Sequence, residues 1–366
     1  MPGAVVLAGS DQMIVPFFIS HHGCPHHCIF CDQRSITGQC QPLPSPEIIL
    51  ATIASYCATS PGKPVEVAFF GGTFTMLPVV DQQRLLAPLQ PLLNSGAVSS
   101  VRLSTRPDAI TAEQVAFLWD SGVRTVELGV QSLDDQVLTA CQRGHCADDV
   151  RGAVSILRGA GLSVGLQLMP GLPCSSSGKD LATLHEAIGL APDFLRIYPG
   201  LVLAGTALAA LYRSGEFAPL SLEEAVRLCA AMLHRCMKAE LPVIRIGLQA
   251  SDSLAEPGKI IAGPYHPAFR QLVESELCYY LLLQLCTGVD AGTKCIVRCA
   301  PSRVSDVAGQ HRTNLKRLAA TGIVPDRIDA DPTLLPTEIV LRTSSTERYG
   351  NLLTDLDFND EGKPYV

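Results

Sequence analysis

The 366-residue sequence lacks any apolar run near the roughly 20 residues that a membrane helix requires. Apolar stretches such as Ala4 to Ala8 and Ile14 to Ile19 are far too short. The N-terminus also lacks a basic segment followed by a small-residue cleavage site, so the chain is expected to be neither exported nor membrane-spanning. Positive charge is not in surplus. A formal net charge of -7 excludes a surface that attracts polyanions as a whole, while leaving room for a local basic patch. No internal repeat or low-complexity segment occurs, which sets repeat architectures aside. What the sequence does have is a composition 47% hydrophobic and 17% charged, enough to bury a sizeable core in roughly one to three domains. Its 14 cysteines would suit a disulfide scaffold only in a short secreted chain. Most lie in apolar periodic segments, where they read as small buried hydrophobes in a reducing compartment, the cytoplasm.

One rhythm repeats along the first two thirds of the chain. Strand-like runs at Ile14 to Ser20, Val65 to Phe70, Ser99 to Thr105, Thr125 to Val130, Ser163 to Met169 and Phe194 to Tyr198 alternate with helical periodicity. The helical runs are Pro46 to Cys57, Gln82 to Leu93, Ala112 to Trp119, Asp148 to Leu157, Lys179 to Leu190 and Leu222 to Met237. Several strands are nearly continuous apolar runs, as parallel strands covered by helices require. The expected class is α/β, an open or closed parallel barrel of six β/α units, whose strand ends carry the chemistry. Beyond residue 240 the rhythm changes. Strands at Val243 to Leu248, Lys294 to Val297 and Glu338 to Arg342, with helices at Phe269 to Leu285 and Asn314 to Ala320, predict a small α+β module. The expected division is an N-terminal extension over 1–12, a core domain over 13–240 and a C-terminal domain over 241–366, with an acidic tail from Asp355 loosely held.

The segment "SHHGCPHHCIFCDQRSITG", residues 20 to 38, places Cys24, Cys28 and Cys31 in one loop after the first strand. Three thiolates at C-x3-C-x2-C spacing can hold three corners of a cubane iron–sulfur cluster and leave the fourth iron without a protein ligand. Such an open position can bind a small molecule and pass it an electron. A closed zinc site is the competing reading, with His26 or His27 as fourth ligand. After the second strand, "VAFFGGTFT" sets the pair Gly71–Gly72 before Thr73, which on its own reads as an ordinary turn.

The cysteine spacing, with Phe30 before the third cysteine, resembles the radical S-adenosylmethionine (SAM) enzymes. "RLSTRPDAI", "VELGVQSLDDQVLTACQRGH" and "GLQLMPGLP" resemble strands three to five of the branch containing coproporphyrinogen oxidase-like enzymes and the catalytic subunit of Elongator. "FLRIYPGLVLAGTALAALYRSGEFAPLSLEEAV" and "IIAGPYHPAFRQLVES" are most similar to bacterial proteins like the radical SAM part of Elongator's subunit. The resemblance implies a partial (β/α)6 barrel and a 4Fe-4S cluster on Cys24, Cys28 and Cys31, with SAM on its free iron. It also implies SAM contacts from Phe30, Gly71, Gly72, Thr73, Ser104, Gln131, Arg143 and Gln167. Gln131 and Gln167 would meet the ribose and Arg143 the SAM carboxylate, while Ser104 stands where the coproporphyrinogen-type enzymes usually carry a carboxylate. Electron transfer to SAM would release a 5′-deoxyadenosyl radical that takes hydrogen from a substrate, with flavodoxin or ferredoxin as electron donor.

Elongator's subunit modifies transfer RNA and carries an acetyltransferase domain, whereas this sequence ends at Val366 without one, so acetyl transfer is not expected. RNA stays a candidate partner because Lys294, Arg298, Arg303, Arg312, Lys316 and Arg317 face only Asp306 between Gly292 and Ala320. A solvated helix face is the plainer reading, since no aromatic residues interleave for base stacking. Non-RNA chemistry of the coproporphyrinogen dehydrogenase type, and a cluster-bearing SAM- or RNA-binding protein without turnover, are the alternatives. The remaining cysteines, Cys141, Cys146, Cys229, Cys236, Cys295 and Cys299, are expected in the core.

Overall fold

A computed structural model describes residues 12–32, 42–59, 62–248, 254 and 256–365. The expected N-terminal extension therefore lies outside the described residues except for Gln12. The chain forms two compact units: Met1–Pro219 with Leu241–Tyr265, and Leu220–Glu240 with His266–Val366.

The first unit is a seven-stranded, all-parallel sheet. Its strands are β1 (Met13–Phe18), β2 (Val65–Phe70), β3 (Ser100–Thr105), β4 (Val123–Gln131), β5 (Ser163–Leu168), β6 (Phe194–Ile197) and β7 (Val243–Ile246), in that spatial order. Helices α1 (Pro46–Thr59), α2 (Val79–Leu86), α3 (Ala112–Asp120), α4 (Ala147–Gly159) and α5 (Ser177–Gly189) form the connections between successive strands up to β6, and α6 (Ala207–Ser214) follows β6. Parallel pairing demands such crossovers, and local signals place them. Thr111 and Ser176 cap α3 and α5 by accepting the N–H of Gln114 and Lys179. The apolar strand runs are buried as expected: Val67, Ala68, Phe69, Val101, Leu103, Val126 and Leu128 are wholly inaccessible. No helix among the described residues is long and apolar enough to cross a membrane.

Two expectations are corrected. The sheet has a seventh strand, because the segment expected to open the C-terminal module pairs in parallel with β6, with Arg196 beside Arg245 and Ile197 beside Ile246. The preceding helix α7 (Leu222–Lys238) belongs instead to the second unit, so a single break at 240 does not describe the division. Its strongly amphipathic stripe explains this. Cys229, Leu233 and Cys236 need an apolar partner, and within the second unit α7 packs on α8 (Phe269–Cys286).

That unit also holds a four-stranded mixed sheet of β8 (Lys294–Cys299), β9 (Val324–Ala330), β10 (Glu338–Arg342) and β11 (Glu347–Asn351), in the order β9-β8-β10-β11, with α9 (Thr313–Ala320). Cys295 and Cys299 are buried in it as expected. The acidic tail is not loose. Phe358 is buried, its ring 5.1 Å from that of His234 and 5.8 Å from that of Tyr280, and Lys238 pairs with Asp357. One apolar ring is enough to seat a chain end that its charges alone would leave in water.

Phe358→Ala should therefore lower the stability of the second unit by about 3 kcal/mol in chemical denaturation; an unchanged transition would show that the tail is not anchored there. His234, fully buried with Nε2 2.9 Å from the Leu352 carbonyl, titrates below the ordinary 6.5 because burial disfavours its charge. The unfolded imidazole takes up a proton first, so this contribution is complete above about pH 6.5 and is lost as pH falls below it. Denaturation midpoints between pH 7.5 and 5 should show that decline, and His234→Asn should flatten it.

Candidate active site

The C-terminal ends of the strands surround a cavity of about 660 Å³ within the first unit. It lies at the chemically active end of a parallel sheet and falls in the size range of small-molecule sites. Cys24, Cys28, Cys31, Gly71, Gly72, Thr73, Ser104, Gln131, Arg143 and Gln167 all line it, from loops and strand ends far apart in sequence. Phe30 is the exception. Its ring is buried with Ile29, Val137, Leu172, Val202 and Leu208 in an apolar cluster, so it supports the cysteine loop from behind instead of facing the cavity.

Backbone contacts hold that loop on three sides. Its first half is clasped to the glycine loop: Ile19 N–H donates to Phe70 C=O at 2.8 Å, His21 N–H to Gly71 C=O at 3.0 Å, and Thr73 N–H to His22 C=O at 2.9 Å. Glycine is required by this approach. A Cβ on Gly72 would stand 2.5 Å from the carbonyl oxygens of both Ile19 and His22, and one on Gly23 2.2 Å from that of Thr73. The second half is pinned by Ile29 N–H to Cys141 C=O at 3.2 Å and by Leu208 N–H to Ile29 C=O at 2.8 Å.

Polar groups finish the wall. Cys24 Sγ lies 3.4 Å from Thr73 Oγ1, and Arg143 Nη1 donates to Cys28 Sγ at 3.1 Å. Arg143 Nη2 donates to Gly129 C=O at 2.5 Å. Gln131 stands at a break in the β4–β5 register with φ of 69°, a strained setting for a non-glycine residue, and accepts from Gln167 Nε2 at 3.3 Å. His145 is buried near Arg143. Burial, then the charges of Arg143 and Arg106, push its pKa down to about 4, so the ring is neutral at physiological pH.

The donor set fits a four-iron cluster. Cys24, Cys28 and Cys31 present three thiols to one shared space, the number that holds three corners of a cubane. Arg143 Nε is buried without a hydrogen-bond partner, which leaves a donor for an anionic group beside the thiols. The other cysteines divide: Cys141, Cys229 and Cys236 are buried as expected, but Cys146 is exposed. It occupies the N-cap of α4, where its N–H donates to Asp149 at 2.8 Å, a local turn role that helical periodicity could not separate from core packing.

Sequence reasoning missed the floor of the cavity. Glu66, Arg102, Glu127 and Arg196 point to the inside from β2, β3, β4 and β6 in one ladder of ion pairs: Arg102–Glu66 2.8 Å, Arg102–Glu127 2.9 Å and Arg196–Glu127 2.7 Å. Burial opposes the charge on Arg196, yet the Glu127 carboxylate and Tyr198 together more than offset it and raise the guanidinium pKa. Glu127, Arg196, Tyr198 and Arg245 all reach the cavity. The available signal was a charged residue recurring on the same side of otherwise apolar strands.

Residues 18–175 match the radical SAM superfamily, and residues 192–278 match the radical SAM C-terminal domain. The chain belongs to the radical SAM superfamily. It is an enzyme of that family, whose cofactors are a 4Fe-4S cluster and SAM. A tRNA uridine(34) acetyltransferase of Dehalococcoides mccartyi is 31% identical over 230 residues, which are 54% of this chain and 50% of that protein. Elongator complex protein 3 of Homo sapiens is 28% identical over 190 residues, 46% of this chain and 35% of that protein. The aligned region thus spans half or less of these relatives' lengths. In fold, the chain resembles archaeal Elp3 of Methanocaldococcus infernus with a TM-score of 0.55 and 22% identity, over 91% of this chain and 74% of that one.

Gly72→Ala should lose most of its iron after anaerobic reconstitution, because the methyl group forces the two loops apart. Gly152→Ala on α4, where a Cβ meets nothing within 4 Å, should keep it. Equal iron in both variants would show that the clasp does not position the thiols. Alanine at Cys24, Cys28 or Cys31 should bleach the protein, whereas stoichiometric zinc in place of iron and sulfide would overturn the cluster assignment.

Proposed function

We propose that this chain reductively cleaves SAM and uses the 5′-deoxyadenosyl radical to take hydrogen from a transfer RNA. The cluster supplies the electron to SAM when bound; the protein's residues bind, orient and shield. The observation that carries this reading is the meeting of Cys24, Cys28, Cys31 and Arg143 with the Gly71–Gly72–Thr73 loop on one cavity. Arg143 would present its spare Nε–H to the SAM carboxylate, a charge-assisted bond. Gln131 and Gln167, already bonded to each other, would offer the ribose hydroxyls a preformed pair of amides. A low-potential carrier such as flavodoxin or ferredoxin would deliver the electron, in the cytoplasm. The names of the sequence relatives support transfer RNA as the substrate.

A non-RNA substrate is the second reading, and one observation favours it. Half of the basic stretch is neutralised within its own unit: Arg303 is buried against Glu274 and Asp306, Arg298 is paired with Asp331 and Glu347, and Arg317 meets Glu276 at 2.5 Å while stacking 3.4 Å from the Tyr279 ring centre. Lys294, Arg312 and Lys316 remain exposed for phosphate contacts.

With dithionite and SAM, the reconstituted wild type should release 5′-deoxyadenosine and Cys28→Ala should release none. Arg143→Ala should bind SAM about tenfold more weakly in calorimetry while keeping iron; unchanged affinity would remove the residue from the SAM site. Transfer RNA binding should weaken steeply with salt, and the combined Lys294→Glu, Arg312→Glu, Lys316→Glu variant should flatten that slope. Salt-insensitive binding untouched by the variant would favour the non-RNA reading.

A further inference from the structure

Arg245 is set apart from the other arginines on the cavity wall. Arg106 is forked onto Asp108 at 2.9 and 2.8 Å, Arg143 onto Cys28 and Gly129, and Arg196 onto Glu127. Arg245, half-buried on β7, has no hydrogen bond or ion pair among the described residues. It stands in register with Arg196 on the neighbouring parallel strand, so the two side chains leave the same face of the sheet about 4.8 Å apart. The inner wall thus sets the carboxylates of Glu66 and Glu127 against the guanidiniums of Arg102, Arg196 and Arg245, with one positive charge uncompensated. A half-buried guanidinium is stable without a carboxylate partner only where water or an incoming anion solvates it.

The surroundings select the anion. Tyr198 Oη accepts from Arg196 Nη1 at 3.3 Å, which leaves its own proton to donate toward the cavity. Arg245, Arg196 and Tyr198 lie on β6 and β7 and the residue after β6, whereas the residues assigned to SAM lie on β2 to β5 and the loops that follow them. The cation is therefore on the side of the cavity left to a second molecule. From this we propose that the enzyme holds its substrate inside the cavity by an anionic oxygen group, a carboxylate or a phosphate, seated on Arg245 with Tyr198 as second donor. Arg245 then fixes which carbon of the substrate meets the radical. This rests on reading the cavity as the chamber shared by SAM and substrate.

The test needs no knowledge of the substrate. Reconstituted enzyme is treated anaerobically with phenylglyoxal, and modified arginines are mapped by mass spectrometry in chloride, acetate or inorganic phosphate at matched ionic strength. Arg245 should label first among the wall arginines, and acetate or phosphate should protect it severalfold better than chloride; the better protector identifies the group. SAM alone should leave it reactive. Equal labelling in all three salts, or full protection by SAM alone, would overturn the proposal. In calorimetry on the SAM-loaded enzyme, Arg245→Gln should weaken binding of the protecting anion about tenfold or more, with partial recovery in Arg245→Lys and unchanged iron and SAM affinity. Unchanged anion affinity in Arg245→Gln would equally overturn it. Failure of transfer RNA to bind would sink the RNA reading and leave these measurements as they stand, so the two failures are distinguishable.

Discussion

The approach of two backbones, residues 19–24 against residues 70–73, is the contact on which the site depends. Hydrogen bonds between the loops set the distance, and Gly23 and Gly72 permit it because a methyl at either would overlap a carbonyl oxygen. Main-chain bonds of this kind are stiff and cannot be replaced by a rotamer change. They fix where β1 releases the cysteine loop and so where three thiols can face a common space. Phe30 contributes from behind, its ring buried against the helix that begins at Ala207 and the turn at Cys141, so the loop is held from both sides without an aromatic group in the cavity.

Beneath the thiols, the sheet spends its inward positions on charge. Burying Glu66, Arg102, Glu127 and Arg196 costs desolvation that apolar side chains would avoid, so the ladder is poor evidence for stability. Its value lies in position. Each carboxylate takes hydrogen bonds from guanidiniums on other strands, which fixes the side-chain directions across β2, β3, β4 and β6 and keeps the floor polar under a reactive chamber. Arg245 continues the row beyond the last carboxylate, and this asymmetry gives the cavity a direction.

The second unit answers a different physical demand. Its basic residues look like an exposed patch in linear order, but Arg303 is drawn into the interior by Glu274 and Asp306, and Arg317 is drawn onto the Tyr279 ring and Glu276. Charge density along a chain is therefore a weak guide to surface potential where a helix such as α8 supplies carboxylates from 29 and 41 residues away.

Local information determined much of this protein. Alternating apolar and helical periods located the strands β1 to β6 and the helices between them, since parallel strands buried on both faces must be apolar and their crossovers amphipathic. The C-x3-C-x2-C spacing pointed to the loop that lines the cavity, because ligand spacing is expressed at fixed chain distance. Tertiary structure decided the rest. The run at 243–246 has no periodicity that distinguishes a seventh barrel strand from the first strand of a new module; pairing with β6 settles it. The orientation of Phe30, the exposure of Cys146 and the seating of Phe358 depend on neighbours distant in sequence. So does the charged floor, for a lone glutamate or arginine in an apolar strand acquires its meaning only when the sheet places its counter-charge on the next strand. Whether Arg245 is paired is a property of the assembled wall, fixed by register and by the carboxylates that the wall has already committed elsewhere.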